Sequence, residues 1–372
     1  MIEVVLSGYY GFDNMGDEAI LYSLITGLKD AEEPCRITVL SASPQKTANR
    51  YGVEAVSRMS PGNVLSALRR SDIFISGGGS LIQDATSLRS PLYYLGLLAF
   101  SRFFSSCTAF AFQGVGPLNT APVRMMTARA VKKADIVSVR DEDSRHLLTS
   151  LGLEKESIRV VPDPVFSLFS GDRLEEVDAG GENSPRQLGV AVRPWQDDSY
   201  LSPLTEGISE FSRDIDELEI TLLPLHRGRD EKAAEKVAEG LRQREGLNEN
   251  IISVNLKTPP EHPAKISDKF SGLDMLLGVR LHSLIFATLL GIPCAGIEYD
   301  PKISAFLNQI DLEPIGTTSD LSSRDVELGL RSTLKRSEII SEKQQDYGRE
   351  QKEKIACHLE EILSSVEKGK AD

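Results

Sequence analysis

The chain has 372 residues, a formal charge of −13, 40% hydrophobic and 26% charged residues. That length supports two ordinary domains, each with its own core, and the composition is that of a soluble globular protein. The acidic balance, with no Lys/Arg run of five or more, argues against nucleic acid as partner.

The start MIEVVLSGYY lacks a basic region before its apolar run, so no signal peptide is expected. No apolar run reaches the roughly 18 residues that would span a bilayer. Cys35, Cys107, Cys294 and Cys357 are scattered without CxxC spacing and read as reduced thiols, not a disulfide frame or a metal site. The expected location is cytoplasmic.

In chain order, the predicted strands of the first half are IEVVLSG, CRITVLSA, DIFISGGG, TAFAFQGVG, DIVSVRD and IRVVPDPVF. Helix-period segments alternate with them, the pattern of a parallel α/β sheet. Residues 170–186 are acidic and nearly free of large apolar side chains, and are read as a linker. A second series follows: QLGVAVRPW, EITLLPLH, IISVNLK, LDMLLGVR and IPCAGIEYD. The expected organisation is an N-terminal Rossmann-like domain (1–169), the linker, a C-terminal Rossmann-like domain (187–336) and a charged helical tail (337–372). The tail carries an apolar stripe at Ile355, Leu359 and Ile362.

In open parallel sheets, ligands bind at the loops after strand carboxyl ends. The first such loop, GYYGFDNMGDEA, lacks the GxGxxG spacing of a dinucleotide site. Asp17 and Glu18 sit in the first helical turn, where a phosphate would meet like charge. The corner therefore suits sugar hydroxyls, which donate to carboxylates. The competing explanation is that Asp13 or Asn14 caps the helix and the acids complement its dipole. In SGGGSLIQD, Gly77, Gly78 and Gly79 allow close backbone approach, and Ser80, Gln83 and Asp84 present polar ends; a sharp turn explains the glycines equally well. FQGVGP places Gln113 similarly. Arg140, at the end of another strand, is either an anion clamp or half of a weak salt bridge with Asp141 or Asp143.

The most pointed segment is LLGVRLHSLIFATLLGIP, in which Arg280 and His282 stand where a strand gives way to an apolar helix. A helix N-terminus with an arginine favours an anion, and His282 can change protonation near neutral pH. The stretch Ser90 to Phe104 is apolar and aromatic; a buried helix is the ordinary explanation, and contact with a lipid tail or membrane interface the alternative.

Taken in order, GFDNMGDEA, SGGGSLIQD, GVGP, SVRDEDS, PDPVF, VRLHSLIFA and YDPKI resemble the polysaccharide pyruvyl transferase family, closest to the CsaB-type enzymes of bacterial cell-wall polymers. The resemblance implies two Rossmann-like domains facing a central cleft, GT-B-like. It implies phosphoenolpyruvate as donor and a pyruvyl ketal formed on a sugar, with no metal or organic cofactor. For CsaB-type members the sugar is N-acetylmannosamine of a lipid-linked secondary cell-wall polymer precursor, in S-layer anchoring. Arg280, Leu281 and His282 match the family's Arg-Leu-His donor segment, and Arg140 a second donor arginine. Val279 departs from the family, which often has Met there. On this basis His282 is the expected general acid, and Asp17, with Glu18 as deputy, accepts a hydroxyl proton. Asn14, Asp17, Gly78, Gly79, Gln83, Asp84 and Gln113 are expected on the acceptor side. Peripheral membrane contact and a homo-oligomer stay open. The rivals are an NDP-sugar glycosyltransferase or epimerase of the same architecture, with Glu298 or Asp300 on the ribose, and a non-catalytic carbohydrate-binding protein.

Overall fold

A computed structural model describes residues 1–85, 87–169, 185–245 and 250–369. The chain divides into two compact units: Met1–Leu168 together with the end of the chain from Gln351, and Phe169–Glu350.

The first unit runs β1 (Ile2–Ser7), α1 (Met15–Lys29), β2 (Cys35–Ser41), α2 (Pro44–Tyr51), β3 (Glu54–Ser57), α3 (Pro61–Arg70), β4 (Ile73–Gly77), α4 (Arg89–Ser101), β5 (Cys107–Gln113), α5 (Ala121–Val131), β6 (Ile136–Val139), α6 (Glu142–Ser150) and β7 (Ile158–Val160). The strands form one parallel sheet in the order β3-β2-β1-β4-β5-β6-β7. All six predicted strands are present. The strand missed, β3, is four residues long and lies at the sheet edge with Glu54 exposed. It carries too little apolar periodicity to be seen in sequence. Order reverses between β1 and β4, so their carboxyl ends flank this unit's switch point. One core binds α3, α4 and α5 to the sheet: Val64 and Leu68, Tyr94 and Leu98, Val123 and Val131 pack with Val5, Phe74, Phe110 and Val139.

The second unit runs β8 (Arg186–Ala191), α7 (Leu201–Phe211), β9 (Leu218–Leu222), α8 (Glu231–Glu245), β10 (Ile251–Leu256), α9 (Ile266–Phe270), β11 (Met275–Gly278), α10 (Leu281–Leu289), β12 (Cys294–Gly296), α11 (Lys302–Gln309) and α12 (Ser323–Lys335). Its parallel sheet has the order β10-β9-β8-β11-β12 and its switch point lies between β8 and β11. Every strand expected in this half is present. Of the linker expected at 170–186, residues 170–184 lie outside the described residues, and Arg186 already belongs to β8.

The helical tail is one helix, α13 (Ser337–Gly369), divided between the two units. In the second unit Ser341 donates to the Gly291 carbonyl at 2.8 Å, and Gln344 donates to the Cys294 sulfur. Past Gln351 its buried stripe, Ile355, Leu359 and Ile362, belongs to the first unit. There a Cβ on Gly27 of α1 would come within 2.5 Å of the Leu359 Cδ1, so the glycine lets Leu359 lie close on α1. His358 hydrogen-bonds Ser138 of β6 at 2.8 Å and meets the Phe112 ring edge-on. The end of the tail is therefore part of the first unit, with Leu359 on α1 and His358 on β5 and β6.

Candidate active site

In the first unit, the residues after β1 and β4 meet. Asn14 precedes α1 and its side-chain amide donates to Asp17. Gly78 and Gly79 both adopt left-handed φ of +77°. A Cβ on Gly79 would stand 2.9 Å from the Asp17 carboxylate, and one on Gly78 would collide with Ile20 at 2.2 Å. The glycines thus let the β4 turn close over α1 beside a half-buried carboxylate. Asp17 also contributes to raising the Tyr10 and Tyr94 phenols, although burial is the larger cause for each. Those hydroxyls donate to the Gly77 and Gly8 carbonyls, at 2.6 and 3.0 Å. Asp17, Asn14 and Gly79 make a polar corner that can accept a hydroxyl proton.

Glu18 has another place. It is 1% exposed and accepts from the Gly11 amide (2.8 Å), Arg50 (3.1 Å) and the Tyr51 hydroxyl (2.6 Å). Burial, with the Glu18 carboxylate beside it, pushes the Tyr51 phenol far up. Glu18 pins the loop to α2, and its oxygens are committed to that work. Three residues expected on the acceptor side also have local duties. Asp84 accepts from the Asn119 and Thr120 amides and the Thr120 hydroxyl, holding the N-terminus of α5. Burial opposes its charge, but these bonds outweigh that and lower its pKa. Gln113 is fully buried and donates to the Ser76 carbonyl at 2.9 Å. Gln83 is half-buried and accepts from the Ala85 amide at 3.0 Å.

Arg140, at the end of β6, is buried. It donates to Ser80 at 2.9 Å and lies 3.4 Å from Asp141 and 3.9 Å from Asp163. Gly114 leaves the space its guanidinium fills, since a Cβ there would stand 2.7 Å away. The sequence offered an anion clamp or a salt bridge; the structure gives Arg140 two buried carboxylates as neighbours.

In the second unit the basic residues converge. Arg280 occupies the N-cap position of α10 and His282 lies half-buried in its first turn. Leu281 is buried, so toward a ligand it offers its backbone N–H. Arg280 forks onto Asp230 through Nε and Nη2. Asp230 is 0% exposed and also accepts the amides of Leu225 (3.1 Å) and His226 (2.9 Å), tying the loop after β9 to the end of β11. Arg193, after β8, lies over the rings of Trp195 and Tyr299, at 5.0 and 4.2 Å. Burial holds Arg193 below its usual pKa; Arg280 adds to this and Tyr299 opposes it. His226 is pushed down to about 4, first by burial and then by the Arg280 charge. Burial would raise Tyr299, yet Lys302 and Arg193 outweigh it and lower its pKa. Four neighbouring strand ends thus bring two guanidiniums, a neutral imidazole and a phenol onto one edge. The Arg280 charge adds to burial in holding Arg193 and His226 low, so an anion at this edge would meet concentrated positive charge.

The sequence singled out Arg280 and His282 but not Arg193, His226 and Asp230, which the structure brings beside Arg280. A usable signal was LHRGRD, three basic residues and an acid directly after a strand. Among the described residues, no group of three or more His, Cys, Asp or Glu is placed to hold a metal ion.

Two parallel α/β units of this kind make the fold GT-B-like, shared with UDP-sugar epimerases and related solved structures. The UDP-GlcNAc 2-epimerase of Neisseria meningitidis bound to UDP-GlcNAc superposes with a TM-score of 0.63 at 13% identity, covering 99% of this chain and 100% of that one. Anabaena HepE in complex with UDP and glucose gives 0.65 at 12% identity, covering 98% and 100%. MnaA of S. aureus with UDP gives 0.61 at 12% identity, covering 93% and 91%. At such identities the likeness is one of fold. No curated protein sequence matches the chain. The polysaccharide pyruvyl transferase family profile matches residues 14–301, and the chain belongs to that family of enzymes, which transfer pyruvate to polysaccharide.

Proposed function

We propose that the chain transfers pyruvate from phosphoenolpyruvate to two hydroxyls of one sugar, forming a 4,6-linked ketal and releasing phosphate. The proposed sugar is the β-ManNAc of a lipid-linked secondary cell-wall polymer precursor, as in CsaB-type enzymes, and the enzyme serves cell-wall biogenesis and S-layer anchoring. The observation that carries the reading is the cationic edge of the second unit. Phosphoenolpyruvate brings a carboxylate and a phosphate, and Arg280, Arg193 and the first turn of α10 supply matching donors.

In the proposed reaction the donor's terminal methylene takes a proton from His282, leaving the central carbon cationic. One sugar hydroxyl adds there and gives its proton to a base, for which Asp17 is assigned. The second hydroxyl displaces phosphate, closes the ring and sends its proton out with the leaving group. Donor and sugar diol therefore become ketal and inorganic phosphate with no redox change. No cofactor takes part in this scheme. Arg140, buried among carboxylates, is kept as a positioning residue for the β4 and β6 loops.

The test is incubation with phosphoenolpyruvate and a β-ManNAc-(1→4)-GlcNAc-diphospho-lipid analogue, with mass spectrometry of the acceptor and His282→Ala alongside. A ketal-bearing product absent in the variant supports the reading. Thermal stabilisation by UDP and not by phosphoenolpyruvate, with no product, would overturn the donor assignment in favour of a nucleotide sugar.

A further inference from the structure

Sixty-seven residues of the first unit stand apart in charge. Residues 55–71 and 85–134 hold nine Lys/Arg and no Asp or Glu, in a chain of net charge −13. At the chain-wide density of 55 acids in 372 residues, about ten acids would be expected there. The fold makes this bias a surface, because these stretches include α3, α4 and α5, which pack on one core at one face of the sheet. Arg69, Arg70, Arg89, Arg102, Arg129, Lys132 and Lys133 are exposed, and only Arg70 of these reaches an acid among the described residues, Glu54 at 3.5 Å. Of the acids that bound the stretches, Asp72 accepts the Glu3 amide, Asp84 the Asn119 and Thr120 amides and Asp135 the Thr108 amide, while exposed Glu54 pairs with Arg70.

The same layer carries most of the large apolar side chains that stand exposed among the described residues. Of the ten large hydrophobics that stand exposed among the described residues, six lie here: Met59 (76%), Leu88, Leu92, Phe100, Phe103 (74%) and Met125. Between α3 and α4 runs an open groove of about 480 Å³, bordered by Val64, Leu97, Tyr93 and Phe100, with Arg58 at its edge. Arg58 lies 4.4 Å over the Tyr93 ring, and Arg102 lies 5.8 Å from that of Phe103.

We infer that the α3–α5 face docks on an anionic lipid bilayer. Apolar tips enter the acyl boundary while neighbouring arginines reach phosphate headgroups, the arrangement of interfacial proteins. The groove gives one acyl chain a place to lie. Positive charge without acids selects an anionic surface. The aliphatic and benzyl tips distinguish it from a nucleic-acid face, which gains nothing from exposed Met and Leu. Docking is independent of the pyruvyl-transfer reading, since it involves none of the residues assigned to the reaction.

The test is cosedimentation of the full chain with vesicles of phosphatidylglycerol and phosphatidylcholine, against phosphatidylcholine alone, without substrates. The expected result is salt-sensitive binding to the anionic vesicles only. The exposed double variant Arg102→Glu/Phe103→Ser should weaken it roughly tenfold or more, while the charge-matched control Lys232→Glu, on α8, leaves it unchanged. Hydrogen exchange should show vesicle protection at 98–104. Absence of binding, equal binding to neutral vesicles, an unaffected double variant, or occupation of this face by a second copy of the chain in sedimentation analysis would each overturn the proposal.

Discussion

The two switch points occupy the same place in two parallel sheets and carry opposite charge. After β1 and β4 the chain offers Asp17, Asn14 and two left-handed glycines. After β8 and β11 it offers Arg193 and Arg280. Shared topology decides where a ligand can bind; a few side chains at the strand ends decide what kind. The arginine corner also needed more construction. A cation half out of water is costly, so Arg280 is braced by buried Asp230 and Arg193 by two aromatic rings.

The comparison breaks most sharply at Arg280. Arg280→Ala should lower kcat/KM for phosphoenolpyruvate by about a thousandfold or more, and Arg280→Lys should restore little, because the fork onto Asp230 is lost. A smaller defect, about ten- to a hundredfold and mainly in donor KM, is expected for Arg193→Ala. At the other switch point, Asp17→Asn should reduce kcat about a hundredfold while thermal stabilisation by phosphoenolpyruvate persists. If stabilisation vanished too, Asp17 would act on donor binding and the division of labour would fail.

Glu18→Gln separates the neighbouring carboxylates. Its expected effect is on folding, a loss of roughly 3 kcal/mol read by urea denaturation, because the bonds to Arg50, Tyr51 and Gly11 are weakened together. A full-stability variant without activity would return Glu18 to catalysis.

The smallest effect concerns pH. His358 is buried against β6, and burial pushes its pKa down to about 4 with Arg159 adding to the shift. Its folded-state pKa is lower than its unfolded one, so its contribution is fully present above about pH 6.5 and falls away as pH drops toward 4. The wild type should lose stability across that window, and His358→Gln should flatten the slope. An unchanged slope would place the titration elsewhere.

Much of this was legible in the sequence. Eleven of the twelve strands among the described residues announce themselves as short β-rich runs ending in Gly, Pro or polar residues, because buried parallel strands must be continuously apolar. Arg280 and His282 were visible because a charged pair between an apolar strand and an apolar helix has few structural explanations. The ordered motifs carried the family. Roles that depend on partners distant in sequence were not legible. Asp17 and Glu18 are adjacent and chemically alike, and only the packing of α2 shows that Glu18 is consumed by Arg50 and Tyr51. Arg193, His226 and Arg280 meet because three separate strand ends lie side by side. The tail's stripe could be read at Ile355, Leu359 and Ile362, but not the surface it covers. Local pattern follows from backbone and side-chain preference within a few residues, and so the sequence alone determined the elements. Which groups share a site is set by long-range packing, which only the tertiary structure decided.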